Sequence, residues 1–253
     1  MIARPTLVFL GFRQYTEFLR IMKQITTPLQ PSTRRTIRTV FQALDYGALA
    51  PIYCEEGGDA FWQAHRGPCE RIGVNLGRVL KEYLSLGGRS LYVGAGIAEL
   101  PIIIMEMKEL GRHISAHNLR QQEVEVIHRA CPDLTQCLKT TDARSALGAF
   151  DHIWMVSVLN DPERFPEVSA LSYGRANPAT FDPKRFSGER TMVQTTTKRC
   201  LNKLTKPGLV TTSVEEIPWI TQWCEDQAIS YRIGEQDYPT AIVGDPICFI
   251  EIG

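Results

Sequence analysis

The chain has 253 residues, 28 basic and 28 acidic side chains, and a formal net charge of zero. This length can bury a full core as one large domain or as one domain with a helical annex. The neutral balance gives no global reason to expect nucleic acid, an anionic membrane or an acidic partner, and no run of 18 apolar residues predicts a membrane span.

The seven cysteines are odd in number, scattered and never spaced as CxxC. This pattern argues against a disulfide framework and against a zinc site, so we expect reduced thiols and no metal. The early apolar stretch LVFLGF is too short for a secretory signal and lacks a small-residue cleavage site. A cytoplasmic protein is therefore expected.

The first third of the chain predicts helices from about Tyr15 to Leu86, with breaks at PLQPS, LAPIY and EEGGD. Its clearest element is Ile72–Leu86, because the apolar residues there recur at helical spacing until Gly87-Gly88 ends the pattern. Residues 1–86 are expected to form an N-terminal helical cap, and residues 87–253 a separate α/β domain. The first 50 residues also hold seven basic side chains against two acids, which favours a solvated basic face: Arg4, Arg13, Arg20, Lys23, Arg34, Arg35 and Arg38.

After Gly88, short apolar runs alternate with helical segments, which is typical of a parallel sheet with crossover helices. Helices are predicted at Pro101–Leu110 and Leu119–Cys131, and the segment IPWITQWCEDQ predicts a last one. The terminal runs YRIGEQ and PICFIEI are expected to pair as a hairpin. The candidate strands before them are Ser90–Gly94, His113–Ala116, Gln136–Thr141, His152–Leu159 and Leu209–Ser213.

One segment breaks this alternation. Some thirty residues rich in Pro, Gly, Asn and Ser follow Leu159, before a helix predicted around Met192–Leu204. Loops of this length inside a compact domain are more often functional lids or disordered segments than plain connections. Its aromatic residues favour a packed lid: Phe165, Tyr173, Phe181 and Phe186.

The turn after the first predicted strand carries the strongest functional signal. Gly94 and Gly96 lie where the backbone of an open α/β sheet approaches a ligand most closely. Glu99 stands where a dinucleotide-binding loop has its third glycine, and an acid there repels a pyrophosphate. NAD and flavin dinucleotide are therefore poor candidates, and the chain contains no GxxxxGK[ST] nucleotide-hydrolysis loop. A cationic ligand such as S-adenosylmethionine is better matched, while a plain tight turn is the alternative.

The motif order from about Gly88 to Thr212 resembles the class I S-adenosylmethionine-dependent methyltransferases. The motifs are GAGIAEL, ISAHNL, TTDARSAL, FDHIWMVSVLNDP and LTKPGLVTTS. The resemblance implies a Rossmann-like, mostly parallel sheet of about seven strands, the last one antiparallel, flanked by helices. It also implies S-adenosylmethionine as cofactor and methyl transfer to a small-molecule or peptide-like acceptor.

Matched position by position, the resemblance assigns the glycine loop to the methionine and ribose side of the cofactor. Asn118 accompanies His117 at the ribose position, and Ala143 accompanies Asp142 at the adenine position. Ser157, Val158, Asn160 and Asp161 match the motif that faces the transferred group. The implied cofactor-binding residues are Gly94, Ala95, Gly96, His117, Asn118, Asp142, Ala143 and Ser157, and the implied catalytic residues are Asn160 and Asp161.

Three positions depart from the family pattern: Tyr92 and His117 replace acids, and Ala98 replaces a glycine. These departures motivate one alternative, a partner protein that keeps the fold without turnover. The run YVGAGIAELP, with its Pro shortly after the glycines, is also similar to nicotianamine synthase-like enzymes, which gives a second alternative, an aminobutanoyl transferase that uses the same cofactor. RNA modification ranks third, although no RNA-binding appendage is recognisable. It is motivated by nine basic residues between 160 and 206: Arg164, Arg175, Lys184, Arg185, Arg190, Lys198, Arg199, Lys203 and Lys206. Homo-oligomerisation is left open.

Several other polar and aromatic side chains have structural interpretations. His152 is expected to pack or hydrogen-bond inside its strand, and Asn160-Asp161-Pro162 also fits a turn. Glu215 and Glu216 fit a helix start better than a base. The N-terminal aromatics are expected to pack inside the annex, with a wall over the cofactor mouth as the alternative: Tyr46, Tyr53, Phe61 and Trp62.

Overall fold

The computed structural model describes residues 27–54 and 56–253. Within these residues, three helices precede the sheet, at Pro31–Ala43 (α1), Tyr46–Tyr53 (α2) and Gly58–Leu80 (α3). The predicted breaks at PLQPS and EEGGD coincide with the starts of α1 and α3, but the break predicted at LAPIY is wrong, because this stretch lies inside α2 and the chain instead breaks after Ala43. The predicted helical residues before residue 27 and the first four basic residues lie outside the described part of the chain.

The described residues form one seven-stranded sheet in the order β3-β2-β1-β4-β5-β7-β6. Neighbouring strands among β1 to β5 are parallel, whereas β7 runs antiparallel to both β5 and β6. The predicted fold class and the terminal strand pair are therefore confirmed. The strands are Arg89–Val93 (β1), His113–His117 (β2), Leu138–Lys139 (β3), Phe150–Met155 (β4), Leu204–Ser213 (β5), Tyr231–Ile233 (β6) and Ile247–Ile252 (β7).

Five further helices connect the strands. The predicted helices after β1, β2 and β5 are present within about two residues at each end. The helices are Leu100–Glu109 (α4), Gln121–Ala130 (α5), Pro166–Ser172 (α6), Pro183–Leu201 (α7) and Ile217–Asp226 (α8). No helix among the described residues is long and apolar enough to cross a bilayer.

The sheet separates two hydrophobic cores, because successive side chains of a strand point to opposite faces. Tyr92 of β1 and Trp154 of β4 lie in one core, together with apolar residues of α1 to α5. Leu91 and Ile153 lie in the other core, with residues of α7 and α8. The N-terminal helices thus share a core with the sheet, and the proposed division at residue 86 stays a prediction.

The helix predicted over Ile72–Leu86 is wrong at both ends, since α3 begins at Gly58 and ends at Leu80. The amides of Glu82 and Tyr83 bond three residues back instead of four, which tightens the last turn. Tyr83 then packs on the ring of Phe249, with centroids 4.9 Å apart, and Leu84 is buried. Tyr83 and Leu84 are therefore in apolar surroundings although they lie outside the helix. The spacing of apolar residues alone cannot distinguish this case from a helix that continues.

The segment predicted as a long lid is partly helical. It contains α6, and α7 begins at Pro183 instead of near Met192. Asp182 caps α7 by accepting hydrogen bonds from the amides of Lys184 and Arg185 at 2.9 and 3.2 Å. Pro at the first helical position behind an Asp cap is a standard helix start, and the turn-rich composition around it hides this signal.

A buried polar network fixes α4 against β1. Glu106 accepts hydrogen bonds from Ser90, from Tyr92 at 2.5 Å and from the Arg112 Nε at 3.0 Å. Arg112 also binds Asp151, with 2.6 Å between the Nη2 and Oδ1 atoms. His152 is fully buried and contacts Ser90 and Thr211 through its two ring nitrogens, so its predicted structural role is confirmed.

Replacement of Arg112 by Met should lower the free energy of unfolding by about 3–5 kcal/mol, because the buried Glu106 would lose the guanidinium that binds it in the core. Denaturant unfolding followed by circular dichroism measures the loss. Arg232→Met is the matched control, since it removes an exposed partner of Glu251 and should leave the transition midpoint unchanged. Equal midpoints for the two variants would contradict the role assigned to Arg112.

Candidate functional site

The strand order places a crevice above the end of β1. The chain leaves β1 toward β2 on one side and returns to β4 on the other, and ligands of open α/β sheets bind at such a switch point. A cleft of about 620 Å³ lies there, which is within the range of small-molecule sites. It is lined by the loops after β1 to β4, by Ile52 and Tyr53 of α2, and by Ile242 and Val243.

The fold brings eight of the ten predicted site residues together in this cleft. They are Gly94, Gly96, His117, Asn118, Asp142, Ala143, Ser157 and Asp161. Ala95 and Asn160 are not among the lining residues, and each is only 1% exposed. The parallel register explains the convergence, because the loops after neighbouring parallel strands meet at one edge of the sheet.

The backbone amides of the glycine loop are already bonded within the protein. Those of Gly94 and Ala95 donate to the carbonyl oxygen of His117 at 2.9 and 3.0 Å. The Gly96 amide donates to Glu99 Oε2 at 2.8 Å, and the Ile97 amide to Glu123 Oε1 at 3.2 Å. Phosphate sites at helix starts need free amides, so this loop is unsuited to a pyrophosphate. This agrees with the sequence analysis, in which Glu99 made NAD and flavin dinucleotide poor candidates for this loop.

The two glycines also serve a purpose that the sequence did not show. A Cβ atom on Gly94 would lie 2.7 Å from Val158 Cγ1, and one on Gly96 would lie 2.5 Å from Glu123 Oε1. Gly94 has a positive φ of 75°, which glycine adopts without strain. The missing side chains therefore leave room for the protein's own Val158 and Glu123. The predicted contact of a ligand with the two glycines stays a prediction.

The end of β2 carries His117 and Asn118, where the resemblance implies one acid that binds the two ribose hydroxyls. The ring nitrogens of His117 lie 3.0 Å from Ser115 Oγ and 2.9 Å from Thr141 Oγ1. Burial lowers the pKa of His117, which favours the neutral ring. Asn118 Nδ2 donates to the Ala95 carbonyl at 2.8 Å and to Glu123 Oε2 at 3.0 Å. Asn118 therefore fixes the glycine loop.

Glu123 is the acid that approaches the loop, and the sequence analysis did not identify it. It is 2% exposed and also accepts a hydrogen bond from the Tyr53 hydroxyl. An acid in the first turn of a helix ordinarily complements the helix dipole, so its position in α5 carried no distinct signal. Its contact with Tyr53 joins the N-terminal helices to the glycine loop.

Asp142 and Ala143 lie after β3, as the resemblance implied. The Asp142 carboxylate accepts from the Arg144 amide at 2.8 Å and from the Arg144 Nη2 at 2.6 Å. These hydrogen bonds hold the pKa of Asp142 below its usual value. Asp142 is therefore ionised and acts as the cap of a short turn, so an adenine amino group would share it with Arg144.

The loop after β4 is held in an uncommon conformation. Ser157 has φ 55°, in the left-handed region that non-glycine residues rarely adopt. Its amide donates to the buried Glu216 at 3.0 Å, and its hydroxyl donates to Asp245 at 3.1 Å. Glu216 also accepts from the Leu159 amide, and burial raises the pKa of Glu216. Glu216 therefore fixes this loop, which corrects its expected role as a helix cap.

Asp161 and Asn160 have different surroundings. Asp161 lines the cleft, and its Oδ1 accepts from the Glu163 amide at 2.9 Å, which is the turn geometry expected of Asn-Asp-Pro. Asn160 lies behind the loop, where its Oδ1 accepts from Trp219 Nε1 at 3.3 Å. Its Nδ2 has no hydrogen-bond partner within the described part of the chain.

The N-terminal aromatics divide between two roles. Trp62 is 2% exposed and packs edge-on against Tyr53 and Phe61, as expected for the core of the helical region. Tyr53 also lines the cleft, so one member of the group forms part of its wall. No cluster of three or more His, Cys, Asp or Glu side chains that could hold a metal occurs within residues 27–54 and 56–253.

Within the part of the chain that the structure describes, the cleft is lined by more acids than arginines. Its acids are Glu99, Glu123, Asp142, Asp161 and Glu163, and its arginines are Arg120 and Arg164. Burial raises the pKa of Glu99 to about 7. The hydrogen bond from the Gly96 amide opposes this increase, whereas the nearby Glu123 carboxylate adds to it. A cation entering the cleft would favour the charged form of Glu99.

Comparison with solved structures finds several methyltransferases with a similar fold. Magnesium protoporphyrin IX methyltransferase from Synechocystis, solved with bound S-adenosylmethionine, is 11% identical over 89% of this chain and 99% of its own, with a TM-score of 0.49. The N-methyltransferase NodS from Bradyrhizobium japonicum is 13% identical over 73% of this chain and 96% of its own, with a TM-score of 0.45. A methyltransferase from Pyrococcus furiosus is 14% identical over 68% and 78%, with a TM-score of 0.44.

These likenesses concern the fold and say nothing of the ligand or acceptor of this chain. No protein-family model matches the sequence. No curated protein matches it significantly either.

Replacement of Gly96 by Ala should lower the free energy of unfolding by about 1–3 kcal/mol, because the added methyl would displace the Glu123 carboxylate from the loop amides. Thermal and denaturant unfolding measure the effect. Gly188→Ala is the matched control, since a Cβ atom there meets nothing within 4 Å and the site is inside α7, so slight stabilisation is expected. A Gly96→Ala variant as stable as the wild type would refute the crowding described here.

Proposed function

We propose that this protein is an S-adenosylmethionine-dependent methyltransferase that acts on a small-molecule or peptide-like acceptor. The proposal is carried by one observation, the acidic cleft above β1 whose glycine-loop amides are all bonded internally. Such a cleft disfavours phosphates and favours a cationic nucleoside. S-adenosylmethionine combines a nucleoside with a sulfonium and an ammonium group, so its charges match the cleft.

The residues of the cleft suggest how each part of the cofactor would be held. Asp142 and Ala143 suit the adenine end, with His117 between them and the glycine loop. Gly94 and Gly96 suit the methionine end, where Glu99 supplies negative charge. Ser157 and Asp161 follow β4 and suit the side on which the acceptor approaches.

When bound, S-adenosylmethionine supplies a methyl group that is already activated by the sulfonium. The protein then has to align the acceptor and, for a protonated nucleophile, remove a proton. Asp161 is the candidate proton acceptor, since its carboxylate lines the cleft. Asn160 is a positioning residue in this proposal, because it lies behind the loop and contacts Trp219.

Calorimetric titration with S-adenosylhomocysteine tests the proposal directly. Micromolar binding is expected from the fit of charge and volume, and silence at millimolar concentration would favour the non-catalytic alternative. The product separates the two transfer reactions, because methyl transfer leaves S-adenosylhomocysteine whereas aminobutanoyl transfer leaves 5′-methylthioadenosine. Accumulation of 5′-methylthioadenosine with an acceptor would overturn the methyltransferase assignment.

The affinity for S-adenosylmethionine should rise with pH. Glu99 has a pKa raised to about 7, so it gains its charge between pH 6 and pH 8 and then attracts the sulfonium. An interaction of about 1 kcal/mol is a factor of about five between the neutral and the charged form of Glu99, so the affinity should be roughly three- to fourfold higher at pH 8 than at pH 6. The neutral thioether S-adenosylhomocysteine should show a smaller change, measured by titration at both values.

Glu99→Gln is the control for this pH dependence, because the amide keeps the shape of the side chain and cannot ionise. The ratio of the two ligand affinities should then be constant between pH 6 and pH 8. A ratio that still rises with pH in this variant would assign the dependence to another group.

A further inference from the structure

The zwitterionic cofactor presents a carboxylate as well as its cations, and the acidic cleft has few groups to receive it. The amides of Gly94, Ala95, Gly96 and Ile97 are committed to internal acceptors. Anions in proteins are otherwise bound by cationic side chains. Among the described lining residues, an arginine is therefore the strongest partner for a carboxylate at the glycine end of the cleft.

Among the described residues, two arginines line the cleft, and they lie toward different ends. Arg164 packs over the ring of Phe165, 5.3 Å from its centroid. Together with the hydrogen bonds from Arg144, its charge lowers the pKa of Asp142, which places it toward the adenine end. His117 does not add a third cation, because burial lowers its pKa.

Arg120 lies toward the glycine end. Its guanidinium is 6.0 Å from the ring centroid of Tyr53, whose hydroxyl bonds Glu123. The same Tyr53 hydroxyl would lie 3.1 Å from a Cβ atom on Gly96. Arg120 is therefore the cleft arginine adjacent to the loop proposed to hold the methionine end.

Arg120 already holds a carboxylate. Its Nη2 is 2.7 Å from Glu163 Oε2, and this ion pair joins the loop after β2 to the loop after β4. Since β2 and β4 flank β1, the pair passes above the end of β1. The side chains are 39% and 69% exposed, and exposed ion pairs of this kind are weak.

We propose that Arg120 binds the carboxylate of the amino-acid end of the cofactor, and that this carboxylate replaces Glu163 as its partner. The exchange trades one carboxylate for another, so the arginine is never left unpaired. This assignment rests on the proposed function and deepens it, because it names the residue that recognises the amino-acid group.

The experiment compares two ligands in calorimetric titrations of the full chain. S-adenosylhomocysteine carries the amino-acid group, whereas 5′-methylthioadenosine has the same nucleoside without it. Arg120→Gln should lower the affinity for S-adenosylhomocysteine by about 10- to 100-fold, as expected for a lost charge-assisted hydrogen bond. The affinity for 5′-methylthioadenosine should be unchanged. Arg120→Lys should recover part of the loss, since it keeps the charge.

Two matched variants complete the design. Arg164→Gln removes the other cleft arginine and should leave the ratio of the two affinities as in the wild type. Glu163→Gln removes the competing carboxylate, so it should raise the affinity for S-adenosylhomocysteine by up to about fivefold and leave the affinity for 5′-methylthioadenosine unchanged.

The outcomes separate this inference from the proposed function. If the wild type binds neither nucleoside, the proposed function fails. If the wild type binds both and Arg120→Gln weakens both equally or neither, Arg120 does not recognise the carboxylate and the inference is overturned. A loss specific to S-adenosylhomocysteine, with an unchanged ratio in Arg164→Gln, supports it.

Discussion

The site depends on a glycine loop whose amides are bonded by the protein's own acceptors. The His117 carbonyl holds Gly94 and Ala95, and the carboxylates of Glu99 and Glu123 hold the next two amides. Buried amides need such partners, and carboxylates bind them strongly. The same two carboxylates are among the five acids that line the cleft. One set of contacts thus both shapes the loop and excludes phosphate ligands.

Other buried acids hold the structure around this loop in a similar way. Glu216 binds the amides of Ser157 and Leu159 and so fixes the chain after β4 in its left-handed turn. Glu106 ties α4 to β1 through Ser90, Tyr92 and Arg112. Buried carboxyl groups need hydrogen-bond partners, which both have, and Glu106 is also paired with Arg112. The cleft walls are accordingly positioned by polar contacts as well as by the two apolar cores.

Much of the framework was predictable because it depends on local pattern. The alternation of short apolar runs with helical segments predicted the parallel sheet, and the placement of Gly94 and Gly96 predicted the edge at which the cleft lies. Two elements were predicted with wrong bounds. Tyr83 continues the apolar pattern of α3 but packs against Phe249 beyond the end of the helix, and Pro183 begins a helix inside a segment whose composition is typical of turns.

The sequence by itself determined the fold class, the order of the strands along the chain and the convergence of the predicted residues, because periodicity and strand-turn-helix spacing are local properties. The tertiary structure decided which side chains reach the glycine loop. Glu123 and Tyr53 stand 70 residues apart and meet only when α2 packs beside α5, and Arg120 meets Glu163 only because β2 and β4 flank β1. Such contacts depend on packing between distant segments, which no local pattern encodes.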